Sequence, residues 1–198
     1  MIKYAGVSPT LVADTSALQS TEKLSRKGNK LVKNKNGVCM AMVIDWIQKC
    51  HEIPGGVTNA SQLKSGLALS LAQTAYMRHV FNDGSADGNA QGYMQNQGLT
   101  VNTTTTLKKK FFSTKKGRLQ KVAMACCGFT GYARISIFGD GGGHALGYRN
   151  SGAVQFFDPN EGILSFNSTN DFAKWFPSYI TNEYPDLCDR VVFSRVKG

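Results

Sequence analysis

Near residue 99 the sequence changes period, and that change does most to limit what the chain can fold into. Upstream, apolar residues recur at helical spacing. Val38, Met42, Ile44, Trp46, Ile47 and Cys50 predict a helix over 39–51, closed by Pro54-Gly55-Gly56. Leu63, Leu67, Leu71 and Ala75 recur every four residues and predict a second helix over 59–81, with Asn59 or Ser61 as its cap. The Gly-, Asn- and Gln-rich residues 83–98 read as a surface loop with a short helical turn. Downstream, short segments rich in β-formers follow one another: Thr103–Thr106, Lys121–Cys127, Tyr132–Phe138, Ala145–Arg149, Ala153–Asp158 and Arg190–Val196. One amphipathic helix interrupts them over Asp171–Tyr179, capped by Ser168 or Asn170, with Phe172, Trp175 and Phe176 on one face. Helices first and an antiparallel sheet second is the order of an α+β domain, not of α/β.

Composition narrows the class. A chain of 198 residues with 41% hydrophobic content can bury a core of its own, which excludes a disordered chain. No run of about 18 apolar residues is present, so no transmembrane helix is expected. Met1–Gly6 has no apolar stretch of the kind a cleaved signal peptide needs, and position 2 is Ile, not the Gly that N-myristoylation requires. Lys23, Arg26, Lys27, Lys30, Lys33 and Lys35 stand among Ser, Asn and Gly, so residues 1–36 read as a flexible basic leader and 37–198 as a single domain. The net charge of +10 points to an acidic partner. Five Cys without a CxxC pair point to a reduced compartment and against a zinc ribbon. Three His without an i, i+3 or i+4 ligand pair predict no metal, and no cofactor motif is present.

Three segments carry candidate chemistry. In Asn34-Lys35-Asn36-Gly37-Val38-Cys39 a thiol opens a helix, where free N–H groups and the helix dipole favour a thiolate. A buried structural Cys is the plain alternative. In Gly141-Gly142-Gly143-His144 an imidazole begins a strand, unless it merely caps the turn. In Phe156-Phe157-Asp158-Pro159-Asn160 a carboxylate closes a strand, unless it only opens the turn that Asp-Pro favours. Geometry ties the last two together. If Asn150-Ser151-Gly152 is a three-residue hairpin loop, Tyr148 faces Val154, Leu146 faces Phe156 and His144 faces Asp158. Leu146, Tyr148, Val154 and Phe156 then form the core face, at whose end the helix carrying Cys39 meets the His–Asp pair. The three residues make a nucleophile, a base and the group that orients the base. An oxyanion hole needs the Cys39 N–H and an upstream side-chain amide, for which Asn34 is best placed.

These segments resemble papain-like cysteine proteases and, more narrowly, the YopT/AvrPphB group of bacterial effector proteases. The resemblance rests on Asn34…Gly37-Val38-Cys39, Met42 and Trp46 down the helix, Gly143-His144-Ala145-Leu146-Gly147, and Phe156-Phe157-Asp158-Pro159-Asn160…Gly162. It implies a papain-like fold, with Cys39 as nucleophile, His144 as base, Asp158 as orienter and Asn34 as oxyanion donor. It also implies delivery by a bacterial secretion system and a protein substrate in the cytoplasm of a target cell. The same thioester chemistry serves glutamine or asparagine deamidases and transglutaminase-type toxins. A binding module is the competing class. Lys108, Lys109, Lys110, Lys115 and Lys116 flank Phe111 and Phe112 and suit a substrate or an anionic membrane surface. No signature of specific nucleic-acid recognition accompanies them.

Overall fold

A computed structural model describes residues 2–21, 24–27, 30–33, 38–83, 86–109, 114–140 and 142–198. In chain order its elements are β1 (Thr10–Asp14), α1 (Ser16–Thr21), β2 (Leu24–Lys27), β3 (Lys30–Lys33), α2 (Cys39–Glu52), α3 (Gly66–Asp83), α4 (Ala86–Asn96), β4 (Thr100–Lys108), α5 (Lys115–Cys127), β5 (Gly131–Gly139), β6 (Gly142–Asn150), β7 (Val154–Asp158), β8 (Gly162–Phe166), α6 (Thr169–Glu183) and β9 (Arg190–Lys197). Seven strands form one sheet in the order β1-β8-β7-β6-β5-β9-β4, every neighbouring pair antiparallel. β2 and β3 make a separate hairpin. The architecture is α+β and papain-like: a helical part carrying Cys39 packs on an antiparallel sheet carrying His144 and Asp158.

Helices cover both faces of the sheet. On one face α2 lies with Ala145, Phe157 and Ile163; on the other α5 and α6 cover Leu146, Tyr148, Phe156 and Leu164. α2 is buried from Cys39 through Ile47, Asp45 included. That carboxylate accepts the Lys64 N–H at 2.7 Å and pairs with the Lys64 ammonium at 3.2 Å, which compensates its burial. Trp46, fully buried, fixes how closely α2 approaches the sheet. It packs on Phe157 at 5.4 Å between ring centroids and lies over Gly147, where a Cβ would sit 2.6 Å from the indole. Gly147 therefore lets the helix reach van der Waals contact with the strand.

Several expectations need correction. Residues 121–127 are not a strand but the last turns of α5. Leu119, Val122, Ala123 and Cys126 recur at three and four residues and bury one helical stripe, which Thr114 caps by accepting the Gly117 N–H. Residues 86–96 form α4 rather than a loop; buried Ala90, Tyr93 and Met94 hold it to the core. Asn59 caps the short 3-10 turn Ala60–Gln62, and α3 starts at Gly66. Leu67 and Leu71, whose spacing predicts the helix, are exposed, while Leu69, Gln73 and Tyr76 face inward. The segment 1–36 contributes β1, which pairs along β8 at the sheet's edge.

The β6–β7 register also differs. Tyr148 pairs with Phe156 and Gly147 with Phe157, two residues from the expected alignment, because the loop is Ser151-Gly152-Ala153. A two-residue slip preserves the face of every side chain. His144 and Asp158 thus share a face, but it is the one beneath α5 and α6, not the one α2 covers.

Candidate active site

α2 begins without a side-chain cap, since Val38 has none to offer. Its first N–H groups are used in other ways. The Met40 N–H points at the Cys39 sulfur, the Ala41 N–H is taken by Gln73 Oε1 at 3.0 Å, and the Met42 N–H by the Val38 carbonyl at 3.0 Å. No partner for the Cys39 N–H occurs among the described residues.

The sheet meets this helix end where a ladder stops. β6–β7 pairing ends at Gly147–Phe157, although β7 stays paired with β8 as far as Asp158–Gly162. Beyond that point the Ala145 N–H, no longer needed by β7, donates to the Cys39 sulfur. The structure so brings Cys39, His144 and Asp158 together, with the imidazole between thiol and carboxylate. His144 Nε2 lies 2.9 Å from Asp158 Oδ1 and the ring also hydrogen-bonds the thiol, which leaves Nδ1 for the sulfur.

Asp158 is wholly buried and accepts four hydrogen bonds. His144 Nε2 and the Asn160 N–H reach Oδ1, both at 2.9 Å; the hydroxyls of Tyr179 and Tyr184 reach Oδ2, both at 2.7 Å. Burial alone would raise its pKa, but the imidazolium beside it and these donors hold the carboxyl below its ordinary range. Burial likewise works against a charged His144, yet the Asp158 charge and hydrogen bond outweigh it and lift the imidazole to about 10. For Cys39, burial is offset by the His144 hydrogen bond and charge and by the two backbone N–H groups, so the thiol is more acidic than usual. The remaining cysteines contrast with it: burial raises the thiols of Cys50, Cys126, Cys127 and Cys188.

Other expected site residues fare differently. Asn34 and Lys110 lie outside the described residues. Lys108 and Lys116 are exposed. Lys109 pairs with Asp189 at 3.4 Å, and Lys115 turns back to donate to the carbonyls of Tyr184 and Pro185 at 3.0 and 2.5 Å. Among the described residues no group of His, Cys, Asp and Glu is arranged to hold a metal. Sequence reasoning missed Tyr179, Tyr184 and Gln73. Tyr179 left a signal, as it falls four residues after Trp175 on the apolar stripe of α6, a polar tip on a buried face.

The fold resembles a known bacterial protein. The crystal structure of the Pseudomonas avirulence protein AvrPphB superposes with a TM-score of 0.65 at 17% identity, covering 83% of this chain and 94% of that one. PatoxP, a cysteine protease-like domain of the Photorhabdus asymbiotica toxin PaTox, aligns with a TM-score of 0.42 at 10% identity, over 96% of this chain and 53% of that one. No curated protein sequence matches the chain. The family model Peptidase_C58, described as Yersinia/Haemophilus virulence surface antigen, matches residues 16–186. With that match over most of its length, the chain belongs to the Peptidase_C58 family, a family of cysteine protease-type hydrolases.

Proposed function

We propose that this chain is a bacterial effector or toxin that cleaves a protein of a target cell, with Cys39 as nucleophile, His144 as base and Asp158 as orienter. The observation that carries the reading is the fully buried carboxylate of Asp158, saturated by four donors, on the far side of an imidazole that hydrogen-bonds the Cys39 thiol. A carboxylate so held fixes the imidazole ring and stabilises its charged form. The resting site is then a thiolate–imidazolium pair. The sulfur attacks the scissile carbonyl carbon, and the Cys39 N–H, with Asn34 as the expected second donor, receives the oxyanion. As the C–N bond breaks, the imidazolium gives its proton to the leaving amine. Water, deprotonated by the neutral imidazole, then attacks the thioester carbonyl, and as the C–S bond breaks the tetrahedral intermediate frees the new carboxyl end and regenerates the thiolate–imidazolium pair.

The family description as a virulence antigen supports delivery into a target cell and a protein substrate there. Exposed Lys108 and Lys116 support a role for this basic segment in steering an acidic partner or membrane surface. Alkylation by iodoacetamide at pH 6 tests the site. Cys39 should be labelled before Cys50, Cys126, Cys127 and Cys188, and His144→Ala should abolish the preference. Slow, uniform labelling of all five would refute the reading. Mass spectrometry of target-cell proteins incubated with the enzyme tests the bond: a new terminus means proteolysis, whereas a shift of about +1 Da on Gln or Asn means amide hydrolysis of a side chain.

A further inference from the structure

Tyr184 stands just past the last residue of α6, half-buried, with its ring stacked on the His144 imidazole at 4.8 Å between centroids and 20° between planes. Its hydroxyl donates to Asp158 Oδ2 at 2.7 Å, lies 3.1 Å from His144 Nε2 and accepts from Asn160 Nδ2 at 3.0 Å. A phenol has one proton to give, and the carboxylate is both the nearer and the stronger acceptor. Burial and the neighbouring carboxylate raise the Tyr184 pKa, so the hydroxyl remains a donor at working pH.

The backbone that presents this ring is tied down on the opposite side. Lys115 Nζ donates to the carbonyls of Tyr184 and Pro185, Arg118 holds the Cys188 carbonyl through Nε at 3.2 Å and Nη2 at 2.7 Å, and the Cys188 N–H bonds the Phe138 carbonyl at 3.0 Å. Both cations belong to the first turn of α5, in the segment whose sequence suggested a docking patch.

We propose that Tyr184 is a positioning residue of the reaction centre, held over His144 by a strap of residues 184–188 that Lys115 and Arg118 fasten to α5. The proposal rests on the Cys39–His144–Asp158 reading. The hydroxyl stops the Asp158 carboxylate from rotating away from Nε2, while the stacked ring sets the plane of the imidazole and keeps water off the Nε2–Oδ1 bond. Tyr179 donates to the same oxygen from within α6, but its ring stacks on Trp175 at 4.2 Å between centroids, so the two phenols are not duplicates.

The test is the pH dependence of Cys39 alkylation by iodoacetamide in the full chain, followed by mass spectrometry, which needs no substrate. Tyr184→Phe keeps the stacked ring and removes one donor from a charged carboxylate. Asp158 then protonates more readily, the imidazolium loses its support, and the thiolate is lost at higher pH. The acid limb should move up by about one pH unit, with alkylation about tenfold slower on that limb and the thermal unfolding midpoint lower by about 3–5 °C. An acid limb that coincides with that of the wild type overturns the proposal. If Tyr184→Phe fails to fold, Lys115→Met decides the matter. It frees the strap without touching the site, and should shift the limb in the same direction; an unmoved limb there overturns the proposal too. Failure of the underlying triad looks different, because the unmodified chain would itself show no acid-side reactivity at Cys39.

Discussion

Gly147→Ala should loosen the fold and disable the site through a single methyl group. The new Cβ would sit 2.6 Å from Trp46 Cζ3, 2.7 Å from Cε3 and 3.3 Å from Phe157 Cβ. Carbon atoms in ordinary contact are about 3.5–4.0 Å apart, so the indole has to withdraw by about 1 Å. It has nowhere to go by side-chain rotation alone, since Trp46 is fully buried and already packed on Phe157. The helix must move instead. Overpacking of this kind costs about 1–3 kcal/mol, and the lower chain entropy of Ala in the unfolded state returns about 0.4–1 kcal/mol. The net loss should be about 1–2 kcal/mol in denaturant unfolding followed by tryptophan fluorescence. Cys39 stands two turns up the same helix, so a shift of about 1 Å is carried to the sulfur, and a displacement of that size costs about 100-fold in a positioned reaction. Cys39 alkylation at pH 6 should slow accordingly. Trp46→Leu in the same chain makes room for the methyl, so the double variant should lose less than the sum of the two singles. Stability within about 0.5 kcal/mol of wild type, together with unchanged alkylation, would refute the claim that this contact sets the helix-to-sheet distance.

Two further outcomes follow from the buried charges. Asp158→Asn preserves shape but removes the charge that lifts His144, and turns an amide toward donors that need an acceptor; it should cost about 3–5 kcal/mol on unfolding and return Cys39 to ordinary thiol reactivity near pH 6. The pH dependence of stability has a sign that distinguishes the three groups. His144, raised from 6.5 to about 10, contributes fully below pH 6.5 and loses that contribution as pH rises through 10. Asp158, depressed from 3.8, contributes above that value and loses it as pH falls. Cys39, depressed from 9.0, contributes fully above pH 9 and loses that as pH falls through its folded value. In the part of the 6.5–9 range that lies above the folded Cys39 value, a thiolate–imidazolium pair binds as many protons as an unfolded thiol and neutral imidazole, so the site adds no slope there. Cys39→Ser removes one side of that balance, and its thermal midpoint should fall relative to wild type as pH rises from the folded Cys39 value towards 9; parallel curves would show that Cys39 and His144 do not share a proton.

What the sequence made legible is what short-range pattern encodes. α2 begins at Cys39 as expected because a run of apolar residues follows a glycine, and α6 starts after Ser168 because its side chain accepts the Asp171 N–H. β5, β7 and β9 follow from β-branched and aromatic runs between turns. α5 is hidden from a strand-length pattern because Val122, Cys126 and Cys127 resemble a strand, while the helical stripe begins upstream at Leu119. The exposed face of α3 shows a different failure. Leu63, Leu67 and Leu71 make a regular stripe, but of these Leu63, ahead of α3, is buried and the other two are exposed; within α3 Leu69, Ser70, Gln73 and Tyr76 face inward, Gln73 capping the Ala41 N–H of α2. A polar residue selected by another helix's free donor cannot be found from periodicity. The same holds for Tyr184, whose role depends on a strap fastened by a helix about 70 residues away.

The His–Asp pairing was legible despite a wrong register because of parity. A slip of two residues keeps both side chains on one face, and diagonal neighbours across a ladder remain within reach of an imidazole. Parity does not account for Cys39, which arrives with α2 on the opposite face of the sheet. It reaches the imidazole because the β6–β7 ladder stops at Gly147–Phe157 while β7 continues beside β8 to Asp158. Past that point β6 has a backbone donor to spare, and the Ala145 N–H turns to the sulfur. One more rung would consume that donor and close the gap between the strands. The end of the ladder thus does two things at once: it opens the path from thiol to imidazole, and it supplies part of the positive potential that makes the Cys39 thiol more acidic.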